Sequence, residues 1–344
     1  MSVLRFDEVI GRARAAKALP LLLRERLISR RLRSRRRELR QIRSELLHNA
    51  DSRAKSIEYK KRKKRVQQEI FRLDCDLRRV AKELSNGVLN GRQAPQGTGE
   101  AATGALPDFL IIGARKCGTT FLYDLLTRHP YVESAAKKEL HYFDILFKEE
   151  GLEWYRRCFP APRWKDGRRI ITGEASPYLD ASHVVPKRVA RVLPRARLIA
   201  LLRNPVDRAY SDYQQAQRKG REPLTFEEAI EAEKTQALAG RQYLRRSIYI
   251  HHLLRWSKYF GGEQMLVLKS EDFFERTQGA LERVLDFLDL PNWEPEASEK
   301  RNKGKYEPEM DPATRQRLEE YFDPHNQKLY KQWGINFQVA AAVH

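Results

Sequence analysis

Residues 106–144 read LPDFLIIGARKCGTTFLYDLLTRHPYVESAAKKELHYFD, and this stretch decides the fold. The apolar run at 109–112 has the length and composition of a buried parallel strand, and from Thr119 the apolar residues follow helical spacing. A basic turn between Gly113 and Gly118 joins the two elements. Free backbone N–H groups and the helix dipole converge on an anion at such a junction. The sequence therefore predicts a phosphate-binding loop.

The residues of this loop suit a phosphate ligand. Basic side chains supply positive charge, hydroxyl groups supply hydrogen-bond donors, and glycine lets the backbone approach the ligand closely. The residues predicted to bind are Arg115, Lys116, Cys117, Gly118, Thr119 and Thr120.

The position of the lysine bears on the class of enzyme. In the common loop G-x-x-x-x-G-K-[ST] the lysine directly follows the second glycine, where it reaches the outer phosphates of a nucleotide. Here Thr119 stands at that position and Lys116 lies inside the loop. No second strand ends in an evident acidic ligand for magnesium. A P-loop nucleotide kinase is therefore the alternative enzyme, not the first hypothesis.

Further predicted strands alternate with helices along the chain. The strands are 131–134, 169–174, 196–202 and 264–268, and the helices are 151–159, 182–193, 206–220, 225–235, 243–260, 270–289 and a C-terminal segment from Pro312. This alternation predicts an α/β fold with a central parallel sheet flanked by helices. Ligands bind at the carboxyl ends of such strands. Lys116, Glu139, Ser176 and Arg203 all follow predicted strand ends, which predicts one shared site.

Two later segments carry residues suited to a second phosphate. The first, RNPVDRAYSDY at 203–213, places an arginine at a strand end and Ser211 about two turns into the next helix. The second, RNKGKY at 301–306, is a glycine turn between basic residues. Taken singly, each segment is also compatible with an ordinary helix start or a surface turn.

The sequence GARKCGTT followed by KKELHYFD resembles the 5′-phosphosulfate loop and next segment of sulfotransferases that use 3′-phosphoadenosine 5′-phosphosulfate (PAPS). The heparan-sulfate sulfotransferases and their bacterial relatives are particularly similar, over residues 106–337. The resemblance implies a P-loop-like fold and transfer of a sulfuryl group from PAPS to a hydroxyl or amine, with a saccharide as acceptor. Such a transfer needs positioning, a cation at the leaving oxygen and a general base, but no metal.

The resemblance also implies roles for the nucleotide-binding residues. Arg203 and Ser211 match the residues that contact the 3′-phosphate of PAPS. The turn Lys303, Gly304 and Lys305 matches a loop that closes over the nucleotide, with a lysine in place of the family's arginine. That replacement retains the charge and loses the bidentate fork.

Three catalytic roles follow from the same resemblance. Lys116 is expected at the leaving group, Glu139 as the general base, and His141 as a supporting residue on the same side of an extended segment. Glu174 and Ser176 match a segment beside the acceptor cleft. Plainer interpretations stay open, since Glu139 follows two lysines and His141 lies in an apolar run typical of structural histidines.

The first part of the chain differs in composition from the rest. Residues 1–92 contain 27 Lys and Arg against 11 Asp and Glu, a net charge of +16 out of +20 for the whole chain. Heptad-like apolar positions are Val66, Ile70, Leu73, Leu77, Val80 and Leu84. We predict a basic helical, coiled-coil-like extension over 1–85, a linker over 86–105 and a sulfotransferase domain over 106–340.

The extension suggests partners besides the substrates. Its arginines form either a solvated helix face or a surface for an anionic membrane or another polyanion. Few aromatic residues occur there, which disfavours a specific nucleic-acid reader. Its apolar positions would be buried within one chain, as a hairpin or an interrupted helix, or by self-association. A non-catalytic basic scaffold is the non-enzyme alternative.

Cysteine content and the N-terminus indicate a compartment. The three cysteines, an odd number without CxxC spacing, disfavour a disulfide framework or zinc site. Neither a secretory signal nor a run long enough to span a bilayer is evident. We therefore predict a cytoplasmic protein. Golgi members of the resembled family carry an N-terminal membrane anchor, so the resemblance without such a run implies a bacterial member.

Overall fold

The computed structural model describes two compact parts of the chain. The described residues are 23–39, 41, 42, 45, 58, 62, 65, 66, 69, 70, 73, 104–148, 150–235, 242–295 and 309–337. The smaller unit lies within residues 1–104 and 148–161, and the larger lies within residues 105–147 and 162–344.

The larger unit contains a parallel sheet of five strands. These are β1 (Phe109–Gly113), β2 (Val132–Ser134), β5 (Ile171–Ala175), β6 (Arg197–Leu202) and β7 (Met265–Lys269). Their order is β2-β5-β1-β6-β7, and every neighbouring pair is parallel. The predicted α/β architecture is confirmed. A two-stranded antiparallel hairpin, β3 (Trp164–Lys165) and β4 (Arg168–Arg169), is an element that the sequence analysis did not predict.

The central strands are buried because their residues are apolar on both faces. All five residues of β1 are buried, as are the last five of β6. Fully burying an aliphatic side chain of this size contributes about 2 kcal/mol. Gly173 in β5 must be glycine, since a Cβ there would lie 2.5 Å from the ring of Phe109 on the adjacent strand.

Helices occupy most of the remaining larger unit. They are α1 (Thr119–Leu126), α3 (Val184–Val192), α4 (Pro205–Arg218), α5 (Phe226–Thr235), α6 (Tyr243–Ser247), α7 (Tyr249–Trp256), α8 (Ser270–Glu275), α9 (Thr277–Phe287) and α10 (Pro312–Trp333). Helix α1 packs against β1 and β5, and α8 and α9 pack against β7. Each of the predicted helices 243–260 and 270–289 is two helices, because the backbone at Ile248 and at Arg276 leaves the helical region.

The described residues of the smaller unit include helical segments. Residues 23–39 form a helix, and α2 (Leu152–Arg156) belongs to the same unit. Ile28 and Leu32 pack with Leu73, and Arg35 pairs with Glu69 at 2.9 Å. Residues 28–35 of the helix at 23–39 thus contact residues 69–73 of the later segment. The two segments therefore run antiparallel, as in a helical hairpin.

The rest of the predicted apolar seam is only partly described. Val66 is buried, whereas Leu77, Val80 and Leu84 lie outside the described residues, as do residues 86–103 of the predicted linker. No described helix has the length and apolar character that crossing a membrane requires.

Candidate active site

The predicted phosphate loop connects β1 to α1. Gly118 precedes the helix with φ 89°, a left-handed conformation, and a Cβ at that position would lie 2.6 Å from the Phe274 ring. Among the described residues, no side chain caps the N-terminus of α1. The backbone N–H groups at the start of α1 therefore have no capping side chain there, a feature that an anion site would use, and the anion site itself stays a prediction.

The loop is attached at two points, to strand β6 and to the start of helix α8. The Ala114 N–H donates to the Leu201 carbonyl at 2.7 Å, and the Ser270 hydroxyl donates to the Cys117 carbonyl at 2.6 Å. Its shape is thus set by β6 and by the start of α8. Within the loop, Lys116 takes φ 69°, a conformation that costs a non-glycine residue free energy and is typical of functional turns.

The predicted loop residues differ in what they present. Arg115, Lys116 and Thr119 are partly exposed and Thr120 is exposed. The Cys117 side chain is buried, and this burial raises the pKa of its thiol to about 11. Cys117 is therefore a neutral thiol at physiological pH, and only its backbone can contact a ligand.

Arg203 follows β6, and the side chain of Tyr249 connects it to the phosphate loop. The Tyr249 hydroxyl donates to the Arg203 carbonyl at 2.9 Å and lies 3.9 Å from the Cys117 sulfur. The Asn204 side chain caps α4, accepting from the N–H of Val206 at 3.0 Å. One buried tyrosine therefore joins the two halves of the predicted nucleotide site, a role that the sequence analysis did not assign to it.

The two arginines at the start of α4 have different environments. Arg203 is partly exposed, whereas Arg208 is buried and donates to the Ser247 hydroxyl at 2.7 Å and to the Tyr243 carbonyl at 2.6 Å. Arg208 therefore attaches α4 to α6. Ser211, one turn further, is also buried.

Glu139 lies beside the carboxyl end of β5, the strand next to β1. Its N–H donates to the Ala175 carbonyl at 3.1 Å, and its carboxylate accepts from Lys138 at 2.9 Å. The expected extended segment is wrong, because Glu139 and His141 have φ of 61° and 52°. The two side chains nevertheless meet, with 3.6 Å between Glu139 Oε2 and His141 Nε2.

Asp144 completes this group. It lies in a π-helical turn, Tyr142–Leu146, and its Oδ2 is 2.9 Å from His141 Nδ1. The sequence analysis did not single it out, although its spacing of three residues from the histidine was available as a signal. Glu139, His141 and Asp144 thus form a continuous charged relay.

The relay alters the protonation of its members. Hydrogen bonding to His141, together with Lys138, lowers the pKa of Glu139 to about 2 despite partial burial. Burial disfavours the charged form of His141, but its hydrogen bonds to Asp144 and Glu139 outweigh this and raise the pKa of His141 to about 9. At neutral pH the group contains an ionised carboxylate beside an imidazolium.

Glu174 and Ser176, predicted to lie near the acceptor, are both buried at the end of β5. The Ser176 hydroxyl donates to Glu174 at 2.6 Å and accepts from the His141 N–H at 3.2 Å. The structure therefore connects both residues to the segment that carries Glu139 and His141.

Part of the predicted site cannot be compared. Lys303, Gly304 and Lys305 lie outside the described residues. In the described part of the chain, no three His, Cys, Asp or Glu side chains come together as a metal site.

The carboxyl edge of the sheet brings the other predicted residues together. Glu139 follows β2 in the chain and hydrogen-bonds to the end of β5, the phosphate loop follows β1 and Arg203 follows β6, and β5, β1 and β6 are neighbours. Chemically, such an edge combines the predicted anion site with an ionised acid–base pair.

Known proteins share both the sequence and the fold of this region. The chain is 32% identical over 256 residues to the mouse (Mus musculus) heparan sulfate glucosamine 3-O-sulfotransferase 5, which covers 66% of this chain and 72% of the relative. It is also 32% identical over 261 residues to the human (Homo sapiens) bifunctional heparan sulfate N-deacetylase/N-sulfotransferase 2, covering 66% of this chain and 29% of that protein. The crystal structure of a sulfotransferase from Alicyclobacillus acidocaldarius superposes with a TM-score of 0.57 at 28% identity, covering 68% of this chain and 98% of that one.

The family relationship follows from these matches together with the loop geometry. The sequence model of the sulfotransferase domain matches residues 106–301, which include the phosphate loop, the Glu139 segment and the Arg203 strand end. The chain belongs to the sulfotransferase family.

Proposed function

We propose that this sulfotransferase transfers a sulfuryl group from PAPS to a hydroxyl or amine of a saccharide and releases 3′-phosphoadenosine 5′-phosphate (PAP). The observation that carries the proposal is the juxtaposition at one sheet edge of the loop after β1 and the Glu139 relay, which is hydrogen-bonded to the end of the neighbouring strand β5. The relatives named for heparan sulfate support a saccharide acceptor. PAPS supplies an activated sulfuryl group on a phosphate leaving group.

The donor set of this edge fits a phosphosulfate nucleotide. We assign the 5′ end to the backbone N–H groups of the loop, Lys116 and the two threonines, and the 3′-phosphate to Arg203 and Ser211. The N–H groups at the start of α1 and the partly exposed Arg203 are donors of the kind that a dianion requires. The turn at Gly304 would add the positive charges of Lys303 and Lys305 over the nucleotide.

In the proposed reaction the bond from sulfur to the phosphate oxygen breaks and a bond from sulfur to the acceptor atom forms. Glu139 takes the acceptor's proton, since its carboxylate is ionised at neutral pH. Lys116 donates to the oxygen on which negative charge develops. His141 keeps Glu139 ionised and oriented, and Asp144 in turn orients His141. No metal takes part in any of these steps.

For the smaller unit we propose that it places the enzyme on an acidic partner. In the helix at residues 23–39, seven arginines are exposed, namely Arg24, Arg26, Arg30, Arg31, Arg33, Arg36 and Arg37. Charge of this density attracts anionic lipid or another polyanion. Sedimentation with neutral and anionic vesicles, and gel filtration with light scattering for self-association, test these roles. A cytoplasmic location is proposed with them.

The test of the central proposal is calorimetric titration of the full-length protein with PAP and with ATP, each with and without magnesium. We expect a PAP dissociation constant on the order of micromolar, independent of magnesium and lost in Arg203→Ala. Arg197→Ala, which alters an arginine at the opposite end of the same strand, is the matched control. Turnover is then followed by transfer of labelled sulfate from PAPS to a glucosamine-containing polysaccharide.

The other outcomes distinguish the alternatives. Preference for ATP with required magnesium would assign the loop to a nucleotide kinase. Binding of neither nucleotide by the folded protein would contradict the donor proposal and favour a non-catalytic basic scaffold.

A further inference from the structure

Glu174 is a fully buried carboxylate for which donor binding and proton abstraction provide no role. It lies near the carboxyl end of β5 with 0% of its surface exposed. Burying a carboxylate is costly unless hydrogen bonds replace its water, so a protein that places one in its interior uses it for a specific contact.

The hydrogen bonds of Glu174 form two parallel chains that end on the backbone of the Glu139 segment. In the first, the carboxylate accepts from the Ser176 hydroxyl at 2.6 Å, and Ser176 accepts from the His141 N–H at 3.2 Å. In the second, it accepts from the Tyr178 hydroxyl at 3.2 Å, and Tyr178 accepts from the Tyr142 N–H at 3.0 Å.

The direction of these bonds requires a carboxylate. Each hydroxyl uses its oxygen to accept from a backbone N–H, so its hydrogen must go to a group that accepts. An ionised carboxylate offers two oxygens and no donor, whereas an amide offers one oxygen and an N–H group. Glutamine at position 174 would therefore present a donor to one of the two hydroxyls, whose hydrogen would then lose its acceptor, which would weaken that chain.

The segment that carries Glu139 and His141 has a strained backbone and holds the proposed general base. Glu139 and His141 both have positive φ, a conformation that persists only when surrounding contacts impose it. The contacts on this segment include the bond from the Glu139 N–H to Ala175, directly after Glu174, and the two chains that end at His141 and Tyr142.

We propose that Glu174 is a positioning residue that sets the backbone conformation of the Glu139 segment, and thereby the place of the general base and its histidine. This rests on the proposed function, since it assigns Glu174 to the support of that reaction. Ser176 and Tyr178 connect Glu174 to that backbone through their hydroxyl groups. This role replaces the direct acceptor contact predicted for Glu174 and Ser176.

Steady-state kinetics of Glu174→Gln, Ser176→Ala and Tyr178→Phe test the role in catalysis. Misplacing a general base by a fraction of its working distance costs about 10- to 100-fold in rate. We expect kcat to fall by that factor while the KM for the acceptor and the affinity for PAP stay within about twofold. A rise in acceptor KM with unchanged kcat would overturn the proposal in favour of direct acceptor contact.

Amide hydrogen exchange tests the geometry without any turnover. We expect the variants to lose protection at the His141 and Tyr142 amides while the amides of β1 and β6 keep theirs. Thr172→Val is the matched control: it removes a buried hydroxyl from the same strand, one that donates to the Glu133 carbonyl at 2.8 Å. Tyr178→Phe removes only one of the two hydrogen-bond chains. Unchanged protection of the Tyr142 amide in this variant, when folded, would overturn the proposal.

The two measurements separate failure of this inference from failure of the proposed function. If the wild-type protein binds PAP and transfers sulfate but the variants keep kcat and protection, Glu174 is not a positioning residue. If the wild-type protein does not bind PAP, the proposed function fails, and the catalytic purpose assigned to Glu174 fails with it.

Discussion

His141 and Asp144 are joined by a hydrogen bond of 2.9 Å between Nδ1 and Oδ2, and the opposite ring nitrogen of His141 faces Glu139 at 3.6 Å. A carboxylate only accepts, so Nδ1 carries the proton, and the second carboxylate favours a proton on Nε2 as well. The histidine is therefore a cation between two anions, and its properties should depend on pH in a defined direction.

Stability should report the charge of His141. Its pKa of about 9 in the folded protein lies above the ordinary value of about 6.5. The stabilisation is therefore fully present below pH 6.5 and is lost as pH rises through 9. We expect the difference in unfolding free energy between the wild type and His141→Gln to shrink over that range in denaturant titrations. A difference that grows with pH would contradict the assignment, and His183→Gln controls for loss of an exposed imidazole.

Asp144→Asn should lower the pKa of His141. An amide cannot stabilise the imidazolium as a carboxylate does, so less charge opposes the effect of burial. The measurement is an NMR titration of the His141 ring protons in the wild type and the variant. An unchanged titration midpoint would mean that Glu139 alone maintains the charge.

Lys116→Ala should abolish most turnover. Removing one cation from the leaving group costs about 10²- to 10³-fold in kcat for electrostatic catalysis of this kind. The readout is sulfate transfer from PAPS under saturating donor. Lys187→Ala on α3 is a control for loss of a lysine on an exposed position. Full activity in Lys116→Ala would remove this residue from the mechanism.

Gly118→Ala should weaken both stability and nucleotide binding. Its φ of 89° strains any other residue, and its new Cβ would meet Phe274 at 2.6 Å. Strain of this kind costs about 1–3 kcal/mol. Gly220→Ala is a matched control, since that glycine has φ 58° but no atom within 4 Å of its Cβ position. Adding Phe274→Ala to Gly118→Ala should recover part of the loss in thermal unfolding; no recovery would assign the whole cost to the backbone.

Tyr249→Phe should separate the two halves of the nucleotide site. Loss of its hydrogen bond to the Arg203 carbonyl should cost about 1 kcal/mol in stability and should weaken PAP binding. Tyr243→Phe is the control, because that hydroxyl donates to Glu222 at 2.8 Å instead. Equal PAP affinities for the two variants would show that Tyr249 does not link the halves.

The sequence predicted elements better than it predicted local geometry. The run at 109–112 and residues 198–202 before Arg203 are apolar throughout, so their burial in a parallel sheet follows from composition. The hairpin β3–β4 was missed because its exposed strands, each two residues long, carry no hydrophobic alternation. The segment at Glu139 was predicted as extended, whereas Glu139 and His141 are left-handed in a segment that hydrogen-bonds to Ala175 and Ser176, contacts that local sequence does not reveal.

By itself the sequence determined the parallel α/β fold, the loop predicted to bind phosphate and the strand ends at which the predicted site residues collect, because apolar runs and glycine spacing are local properties. Tertiary structure alone decided which distant residues meet: Tyr249 with Arg203, and Glu174 with the backbone of the Glu139 segment. These contacts depend on the order of the strands in the sheet and on the path of the loops between them. Neither is encoded by periodicity, since both follow from how distant segments pack.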